Sequence, residues 1–528
     1  MEPDPRWLGI GPGINFIKTD GIEFREYQLN IIRSAQRNGN TLVVIPTGLG
    51  KTFIATAMIA SALAAGKKAL LLAPTKPLAE QHHSTLSSFL KVEPSEVLFL
   101  SGSLVRGKRA EAESHARVIV ATPQTASNDM KSGSLSMEGV GIVVFDECHH
   151  AVGKYAYTYI ANECKLKGIP VLGLTASPGS KKEKIEALVE SLGVQRIEAR
   201  TSSDPDVSRY VMPKNTHIVN VDVGVRLAEI ARLIAPDAEA SLVSLNKVGL
   251  LHFKNFARIP KGRLIQAGDQ ISKIQDSNFK FAAIYSYVRL LNLSHAYDLL
   301  MTEGIYPFHR YLEGLASREK KSRAVENLLS SKNLVKAREI AEKALKNGEE
   351  HPKVIAVIDI IKDYRGKSCI IFAQYRSTIK MLVEYLQNNG FSAKAFVGKR
   401  EGVTQEMQKG IILDFRERKF DVLVASSIAE EGLDIPSVDL VIFYEPIPSE
   451  IRNIQRRGRT GRFRGGEIYI LAANGTKDEI YLRISDQREK KAADEIRKIN
   501  ARLILRASQA GRQNTLSASG QQPPVLPM

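Results

Sequence analysis

Pro46-Thr47-Gly48-Leu49-Gly50-Lys51-Thr52 is a glycine-rich turn between two apolar stretches of the chain. The stretch before it, 41–45, has a strand pattern, and the stretch after it, 53–60, has a helix pattern. In this context backbone N–H groups hold phosphate oxygens, the lysine reaches the β- and γ-phosphates, and the final threonine binds Mg²⁺. The strict pattern has a glycine where this chain has Ile45, so a chance glycine-rich turn is the alternative. The turn predicts a site for a nucleoside triphosphate.

Two carboxylates, Asp146 and Glu147, follow a second strand pattern at 141–145. They would lie at the carboxyl-terminal edge of a parallel sheet, which is where ligands bind. There Asp146 can hold Mg²⁺ through water, and Glu147 can orient and deprotonate an attacking water. The alternative is a solvated helix start, and it is the presence of Lys51 that favours the magnesium site.

Composition indicates a large protein with an anionic partner. The chain has 528 residues, 43% of them apolar and 25% charged, which is enough for roughly two to four domains with substantial cores. Its net charge of +17 and pI near 9.5 favour a polyanion, although a merely basic soluble protein has the same balance. No apolar run of about 18 residues and no secretory signal occur, so we expect no membrane span. Three widely spaced cysteines favour a reducing compartment, and we expect a cytoplasmic protein, nucleoid-associated if the cell is archaeal.

The order of strand and helix patterns divides the chain into several parts. Strands alternate with helices in 1–200 and again in 351–510, which predicts two parallel α/β lobes. Between them, 201–225 would be a connecting segment and 226–350 an all-helical insert, because strand signals vanish and helical periodicity dominates. Residues 511–528 are rich in Ser, Gln and Pro and are expected to be a disordered tail.

An ordered set of motifs resembles helicase superfamily two, of the DExH type. The segments that carry this resemblance are, in chain order, 24–28, 46–52, 73–77, 121–124, 146–149, 175–177, 371–375, 429–434 and 455–462. The first resembles the adenine-reading motif, and the others resemble motifs I, Ia, Ib, II, III, IV, V and VI. The resemblance implies an α/β fold in which two RecA-like parallel-sheet P-loop lobes flank the all-helical insert.

The resemblance also implies roles in binding and hydrolysing ATP with Mg²⁺. Residues expected to hold the nucleotide are Phe24, Arg25, Gln28, Thr47, Gly48, Leu49, Gly50, Lys51, Thr52 and Asp434. Thr52 and Asp146 would serve the metal, and the catalytic set would be Lys51, Glu147, Gln455, Arg459 and Arg462. The last two would act as arginine fingers from the opposite lobe, since a cation delivered by closure stabilises the charge on the γ-phosphoryl oxygens.

Other motif residues would contact nucleic acid. By resemblance, Thr75, Thr122, Gln374 and Ser427 would follow the sugar-phosphate backbone of one strand. For the two threonines, helix N-capping is the alternative. In the insert, the basic cluster of Lys320, Lys321 and Arg323 is interpreted as a nucleic-acid-binding surface, the predicted grip of the insert. A solvated helix face is the alternative.

The helical insert and residues 149–157 resemble the archaeal Hef and Fanconi-anaemia M-type fork-processing helicases. This implies an ATP-dependent 3′-to-5′ DNA helicase or translocase that acts on forked or branched DNA in repair and replication restart. RNA is the rival substrate, because Dicer and the innate-immune RNA sensors resemble these proteins in carrying a related insert. Cys148 also differs from the alanine usual in Hef and matches the residue common among the RNA sensors. An ATP-gated binding module without unwinding and a scaffold with a structural P-loop also stay open. Nuclease activity is not expected, because the residues after the last strand pattern, 467–471, include no cluster of acidic residues with a lysine that could hold a cutting metal. A separate nuclease or a sliding clamp would be a candidate protein partner.

Overall fold

The computed structural model describes residues 5–19, 23, 25–101, 113, 115–153, 155–210, 214–398, 403–426, 436, 438–447 and 466–518. Within this part of the chain, two parallel sheets are separated in sequence by a segment made of helices. The expected α/β class, with two parallel lobes around a helical insert, is therefore confirmed.

The first sheet has seven strands in the order β3-β4-β2-β5-β6-β1-β7. Its strands are β1 (Thr41–Val44), β2 (Lys68–Leu72), β3 (Val97–Leu100), β4 (Val118–Ala121), β5 (Val140–Phe145), β6 (Val171–Thr175) and β7 (Arg196–Ala199). All the strand pairs are parallel. Most of these strands are short apolar runs buried on both faces, as expected where helices cover a parallel sheet.

Helices cover both faces of the first sheet and form two apolar cores with it. They are α1 (Glu26–Asn38), α2 (Lys51–Ala64), α3 (Lys76–Phe89), α4 (Pro123–Lys131), α5 (Ala156–Lys167), α6 (Lys182–Leu192) and α7 (Pro205–Ser208). Short 3-10 segments lie at Pro5–Phe16, Pro94–Glu96 and Cys148–His150. Because every strand runs in the same direction, the loops that leave the carboxyl ends of β1, β2, β4 and β5 meet at one edge of the sheet.

The second sheet has six strands in the order β10-β11-β9-β12-β13-β8. They are β8 (Lys214–Val221), β9 (Cys369–Phe372), β10 (Ala393–Phe396), β11 (Val422–Ala425), β12 (Leu440–Phe443) and β13 (Gly466–Ala473). The helices α14 (Pro352–Asp363), α15 (Arg376–Asn388) and α16 (Gln405–Arg416) belong to the same lobe. Strand β8 pairs in parallel with β13 along its whole length. The segment 201–225, expected to be only a connection, thus supplies a strand to the second sheet.

The insert between β8 and β9 is helical throughout and has its own apolar core. Its helices are α8 (Val225–Lys247), α9 (Lys261–Ser272), α10 (Asn278–Asp298), α11 (Ile305–Ala316), α12 (Arg323–Leu329) and α13 (Lys332–Lys346), with a short 3-10 turn at Phe256–Arg258. Helix α10 runs into a π-helical turn, Leu299–Glu303, which is where the insert meets the second lobe.

A buried polar cluster joins this π-helical turn to the second lobe. The carboxylate of Glu303 accepts a 2.8 Å hydrogen bond from Oγ1 of Thr378, and its carbonyl accepts one of 2.9 Å from the Tyr444 hydroxyl. The fully buried Lys353 forms an ion pair with Asp478 and donates to the carbonyl of Thr302 at 3.0 Å. Since buried charges are tolerated only when they are paired and hydrogen-bonded, this cluster fixes the insert on the second lobe.

The final helix, α17 (Lys477–Ala518), begins beside the second sheet and continues onto the first lobe. Its residues Ile496 and Ile499 are buried in one of the apolar cores of the first lobe. The helix extends into 511–528, the segment expected to be a disordered tail, as far as Ala518. In the part of the chain that the structure describes, no helix combines the length and apolar character that crossing a bilayer requires.

Candidate nucleotide-binding site

The predicted phosphate loop connects β1 to α2, and α2 begins at Lys51. Gly48 and Gly50 have φ angles of 85° and 76°, a left-handed backbone that favours glycine. A Cβ at Gly50 would also collide with Nε2 of Gln28. The loop therefore needs its glycines, and because α2 begins at Lys51, the loop places the amino-terminal end of this helix at the carboxyl end of β1.

Gln28 and Tyr27 hold this loop from helix α1. Nε2 of Gln28 and the hydroxyl of Tyr27 donate to the carbonyl of Leu49, at 3.2 Å and 2.8 Å. Oε1 of Gln28 accepts a 2.9 Å hydrogen bond from the backbone N–H of Arg25. The structure thus brings Arg25, Gln28 and the loop together, as the adenine-reading motif requires.

Asp146 and Glu147 follow β5 at the same sheet edge. Oδ2 of Asp146 lies 2.7 Å from Nε2 of His82. Burial disfavours the charged form of Asp146, but His82 and Lys51 outweigh burial and hold its pKa below the ordinary value. Asp146 is therefore an ionised carboxylate, the form that binds Mg²⁺.

Glu147 adopts a left-handed backbone conformation, with φ of 46°. Such strain in a residue other than glycine is typical of functional sites. Its Oε2 is buried and accepts no hydrogen bond from any described residue, although Nδ1 of His149 is 3.4 Å away. An acceptor of this kind is available to a water molecule, as the predicted catalytic role requires.

His149 links this segment to the end of β6. Its Nδ1 lies 3.1 Å from Oγ1 of Thr175, and the same hydroxyl donates to the carbonyl of Ser177 at 2.9 Å. The carbonyl of Thr175 in turn accepts the backbone N–H of Ile45, at the start of the phosphate loop. The predicted motifs I, II and III are therefore physically connected.

These residues fit ATP and Mg²⁺. The positive-φ glycines leave room for phosphates next to backbone N–H groups. Nζ of Lys51 donates to the carbonyl of Ile45 at 3.3 Å, and its charge lowers the pKa of Asp146. Thr52 follows Lys51 in the first turn of α2. Mg²⁺ usually takes one or two carboxylates together with substrate phosphates and water, which matches an ionised Asp146 beside a phosphate site.

His82 is a site residue that sequence reasoning missed. It lies on α3, outside every motif segment, and only the fold brings it to Asp146. The adjacent His83 points elsewhere and contacts the carbonyl of Val97 at 2.9 Å. The sequence places the two histidines side by side and does not indicate which of them contacts Asp146.

Three of the predicted nucleic-acid contacts lie just beyond the carboxyl ends of β2, β4 and β9. Thr122 caps α4, because its Oγ1 accepts the backbone N–H of Thr125 at 3.4 Å. Thr75 is at the N-cap position of α3 but does not cap it, and its buried Oγ1 finds no partner among the described residues. Gln374 is exposed. The N-cap alternative thus describes Thr122 and not Thr75.

The predicted grip residues of the insert lie between α11 and the start of α12. Lys320 and Arg323 are exposed, and Nζ of Lys321 donates to the carbonyl of Arg318 at 2.6 Å. The remaining predicted site residues lie outside the described part of the chain, namely Phe24, Ser427, Asp434, Gln455, Arg459 and Arg462. The second half of the composite pocket therefore stays a prediction.

Two family models match the chain. One is described as the type III restriction enzyme res subunit and matches residues 21–180, and the other is the helicase conserved C-terminal domain and matches residues 352–464. Together they cover most of the two lobes and leave the helical insert unmatched.

Relatives and a solved structure agree with these matches. A Methanocaldococcus jannaschii protein with the provisional name of an ATP-dependent RNA helicase is 37% identical over 90% of this chain and 61% of its own length. The ATP-dependent DNA helicase fml1 of Schizosaccharomyces pombe is 31% identical over 88% of this chain and 59% of its own length. The chain thus spans about three fifths of these relatives. The crystal structure of the Hef helicase domain of Pyrococcus furiosus is 40% identical, with a TM-score of 0.70, and the match covers 89% of this chain and 100% of that one.

Proposed function

The chain belongs to the Hef and Fanconi-anaemia M-type family of superfamily 2 DExH helicases, and on that premise we propose that it is an ATP-dependent 3′-to-5′ DNA helicase or translocase acting on forked or branched DNA. Repair and replication restart would be its setting. The cytoplasm, or the nucleoid of an archaeal cell, would be its location. A separate nuclease or a sliding clamp would be a candidate protein partner.

One observation carries the proposal. The phosphate loop after β1 and the Asp146-Glu147 pair after β5 lie at the same edge of one parallel sheet, with Lys51 close enough to lower the pKa of Asp146. This arrangement supports hydrolysis of a nucleoside triphosphate. The match to the Hef helicase domain along 89% of the chain supports coupling of that hydrolysis to movement on DNA.

In the proposed reaction, ATP would supply the γ-phosphoryl group and Mg²⁺ would neutralise part of its charge. Lys51 and the N–H groups of α2 would bind the phosphates, and Asp146 and Thr52 would hold the metal. The free oxygen of Glu147 orients the attacking water and accepts its proton. Arg459 and Arg462 would approach from the second lobe when the cleft closes, and Gln455 would couple the two lobes.

The DNA substrate is inferred from charge and from the relatives. A net charge of +17 favours a phosphate backbone, and the fission-yeast relative is named a DNA helicase. RNA is the second candidate, because the Methanocaldococcus relative carries an RNA-helicase name. Competition between forked DNA, linear DNA and duplex RNA for stimulation of ATP hydrolysis distinguishes the two, and we expect forked DNA to stimulate most.

Strand displacement tests the proposal as a whole. Two labelled substrates are incubated with the protein, Mg²⁺ and ATP. One carries a single-stranded 3′ tail and the other a single-stranded 5′ tail. We expect displacement from the 3′-tailed substrate and little from the 5′-tailed one. Hydrolysis without any strand displacement or translocation would instead favour an ATP-gated binding module, and preference for the 5′ tail would contradict the proposed polarity.

A further inference from the structure

We propose that His82 is a positioning residue that transmits nucleic-acid binding at the start of α3 to the magnesium-binding carboxylate of Asp146. The proposal rests on the proposed function, because it assigns a route by which DNA stimulates ATP hydrolysis. The geometry of α3 carries it, since this helix contacts the predicted DNA-binding edge, the metal site and the second lobe.

The contact with the metal site is direct. Nε2 of His82 lies 2.7 Å from Oδ2 of Asp146, and both side chains are buried. An ionised carboxylate can only accept hydrogen bonds, so Nε2 carries the proton and donates it. One oxygen of the carboxylate is thereby held, and the orientation of Asp146 towards a metal depends on where α3 lies.

The ring of His82 has little else to orient it. Its Nδ1 is buried and has no hydrogen-bond partner among the described residues. The bond to Asp146 is therefore the polar contact that sets the rotation of the imidazole. A displacement of α3 would therefore change this bond.

The start of α3 is where DNA would bind. Thr75 occupies the N-cap position of α3 just beyond β2, and its buried Oγ1 has no partner among the described residues. His82 follows Thr75 by seven positions, about 10 Å along a helix. Because two turns of a helix move as a rigid element, a shift at Thr75 reaches His82 directly.

The second lobe also contacts α3. Nζ of Lys409, on α16, lies 3.0 Å from Oε2 of Glu80, two residues before His82. Helix α3 is thus placed to respond to DNA at its first residue and to the neighbouring lobe at Glu80. Both responses would reach Asp146 through the same imidazole.

The activity test compares two replacements at this position. His82→Phe keeps a ring of similar size and removes the donor, whereas His82→Gln places an amide N–H near the position of Nε2. We expect His82→Phe to lower DNA-stimulated turnover by roughly 10- to 100-fold, as loss of a metal ligand's partner does, and to lower DNA-free turnover by a smaller factor. His82→Gln should recover most of the stimulation. His83→Gln, on the same helix, is the matched control and should keep the wild-type ratio.

A binding measurement tests the same coupling without turnover. The affinity for Mn²⁺ with a non-hydrolysable ATP analogue is followed by the manganese EPR signal, with and without forked DNA. Wild-type protein should bind Mn²⁺ and the ATP analogue more tightly when DNA is present. By linkage, it should bind DNA more tightly by the same factor when Mn²⁺ and the analogue are present. His82→Phe should reduce that factor towards one.

The outcomes separate the two proposals. A wild-type protein whose hydrolysis is not stimulated by DNA overturns the proposed function, and this inference with it. A stimulated wild type together with an unchanged ratio and an unchanged coupling factor in His82→Phe overturns this inference alone. Should His82→Phe fail to fold, His82→Asn decides by the same criteria, because its shorter amide does not reach Asp146.

Discussion

The side-chain oxygen of Asn500 accepts a 3.0 Å hydrogen bond from the backbone N–H of Ile197, which places the middle of α17 against the edge strand β7 of the first sheet. Arg502 adds a 2.7 Å ion pair with Glu186. The same helix begins with Asp478 buried beside Lys353 in the second lobe. One helix therefore connects the two lobes directly.

Removing the apolar anchor of α17 should loosen the first lobe. Ile499 is 3% exposed and packs in that lobe's core, so Ile499→Ala should lower the free energy of unfolding by about 2 to 4 kcal/mol. Leu505→Ala on the same helix is the control, because Leu505 is 62% exposed and its loss should change stability by about 0.5 kcal/mol or less. Denaturant unfolding measures both, and equal effects of the two variants would show that α17 does not dock as described.

Lys51→Ala should lower the rate of DNA-stimulated ATP hydrolysis by roughly 100-fold or more, because the γ-phosphate loses the lysine cation that binds it. Salt-sensitive DNA binding should persist, because the proposed DNA contacts lie elsewhere. Lys18→Ala is a matched control, as the side chain of this exposed lysine donates to the carbonyl of Ser87 at 3.4 Å and lies outside the nucleotide site. Turnover near wild type in Lys51→Ala would refute the assignment of the loop.

Reversing the basic cluster of the insert should weaken binding to forked DNA more than it changes DNA-free hydrolysis. Replacing Lys320, Lys321 and Arg323 by Glu removes up to three phosphate contacts, so the slope of log Kd against log salt should become shallower by about 2 to 3. The control makes the same charge change at Lys181, Lys182 and Lys184, which are exposed on the first lobe. If the binding isotherms of the triple variant and the wild type overlay at matched salt, the three residues do not bind DNA and form a solvated helix face.

The contribution of Glu350 to stability should fall as pH rises from about 5 to 7. Its carboxylate accepts the backbone N–H groups of Ile305, Tyr306 and His351, the first two at the start of α11. Burial raises the pKa of Glu350 to about 7, although these hydrogen bonds oppose the change. An unfolded glutamate titrates near 4.5, so the folded protein binds the extra proton between these values. The resulting stabilisation is present below about pH 4.5 and is lost as pH rises through about 7.

Glu350→Gln should therefore remove this falling contribution and raise the slope of the thermal midpoint against pH across this range, at about 1.4 kcal/mol per unit of pKa difference. Burial also raises the pKa of Glu303 to about 7, which acts in the same direction as Glu350, and lowers the pKa of His351 to about 3, which acts in the opposite direction; both contributions are shared by wild type and variant. Glu349→Gln is the control, because Arg226 lowers the pKa of this half-buried neighbour. Glu349 is therefore largely ionised in both the folded and the unfolded state at about pH 5 to 7, and its replacement should leave the slope unchanged. Equal slopes in wild type and Glu350→Gln would contradict the prediction.

The sheets and the nucleotide site could be predicted because their signals are local. Strands such as β1 and β5 are short apolar runs, and parallel strands bring residues at their carboxyl ends to one edge. This is enough to place Lys51 near Asp146. The resemblance of the motifs to a helicase family then assigned the chemistry, and the family was confirmed by the match to the Hef helicase domain.

Contacts between distant parts of the chain could not be predicted from the sequence. Strand β8 begins with four polar residues, 214–217, and so resembles a connection in the sequence. It becomes a strand by pairing with β13, where Asn215 bonds to Glu467 at 2.8 Å. His82 reaches Asp146 across 64 positions, and no spacing rule links them. The docking of α17 on the first lobe likewise depends on a surface formed by other elements.

The central claim is that the two lobes complete one catalytic pocket around ATP. A crystal structure with forked DNA, Mg²⁺ and a transition-state analogue of the γ-phosphate tests it most directly. We predict that the guanidinium groups of Arg459 and Arg462 lie within hydrogen-bonding distance of the analogue, roughly 3 Å, opposite Lys51 and Glu147. Both arginines turned away into solvent, in a closed complex with the analogue bound, would contradict the account.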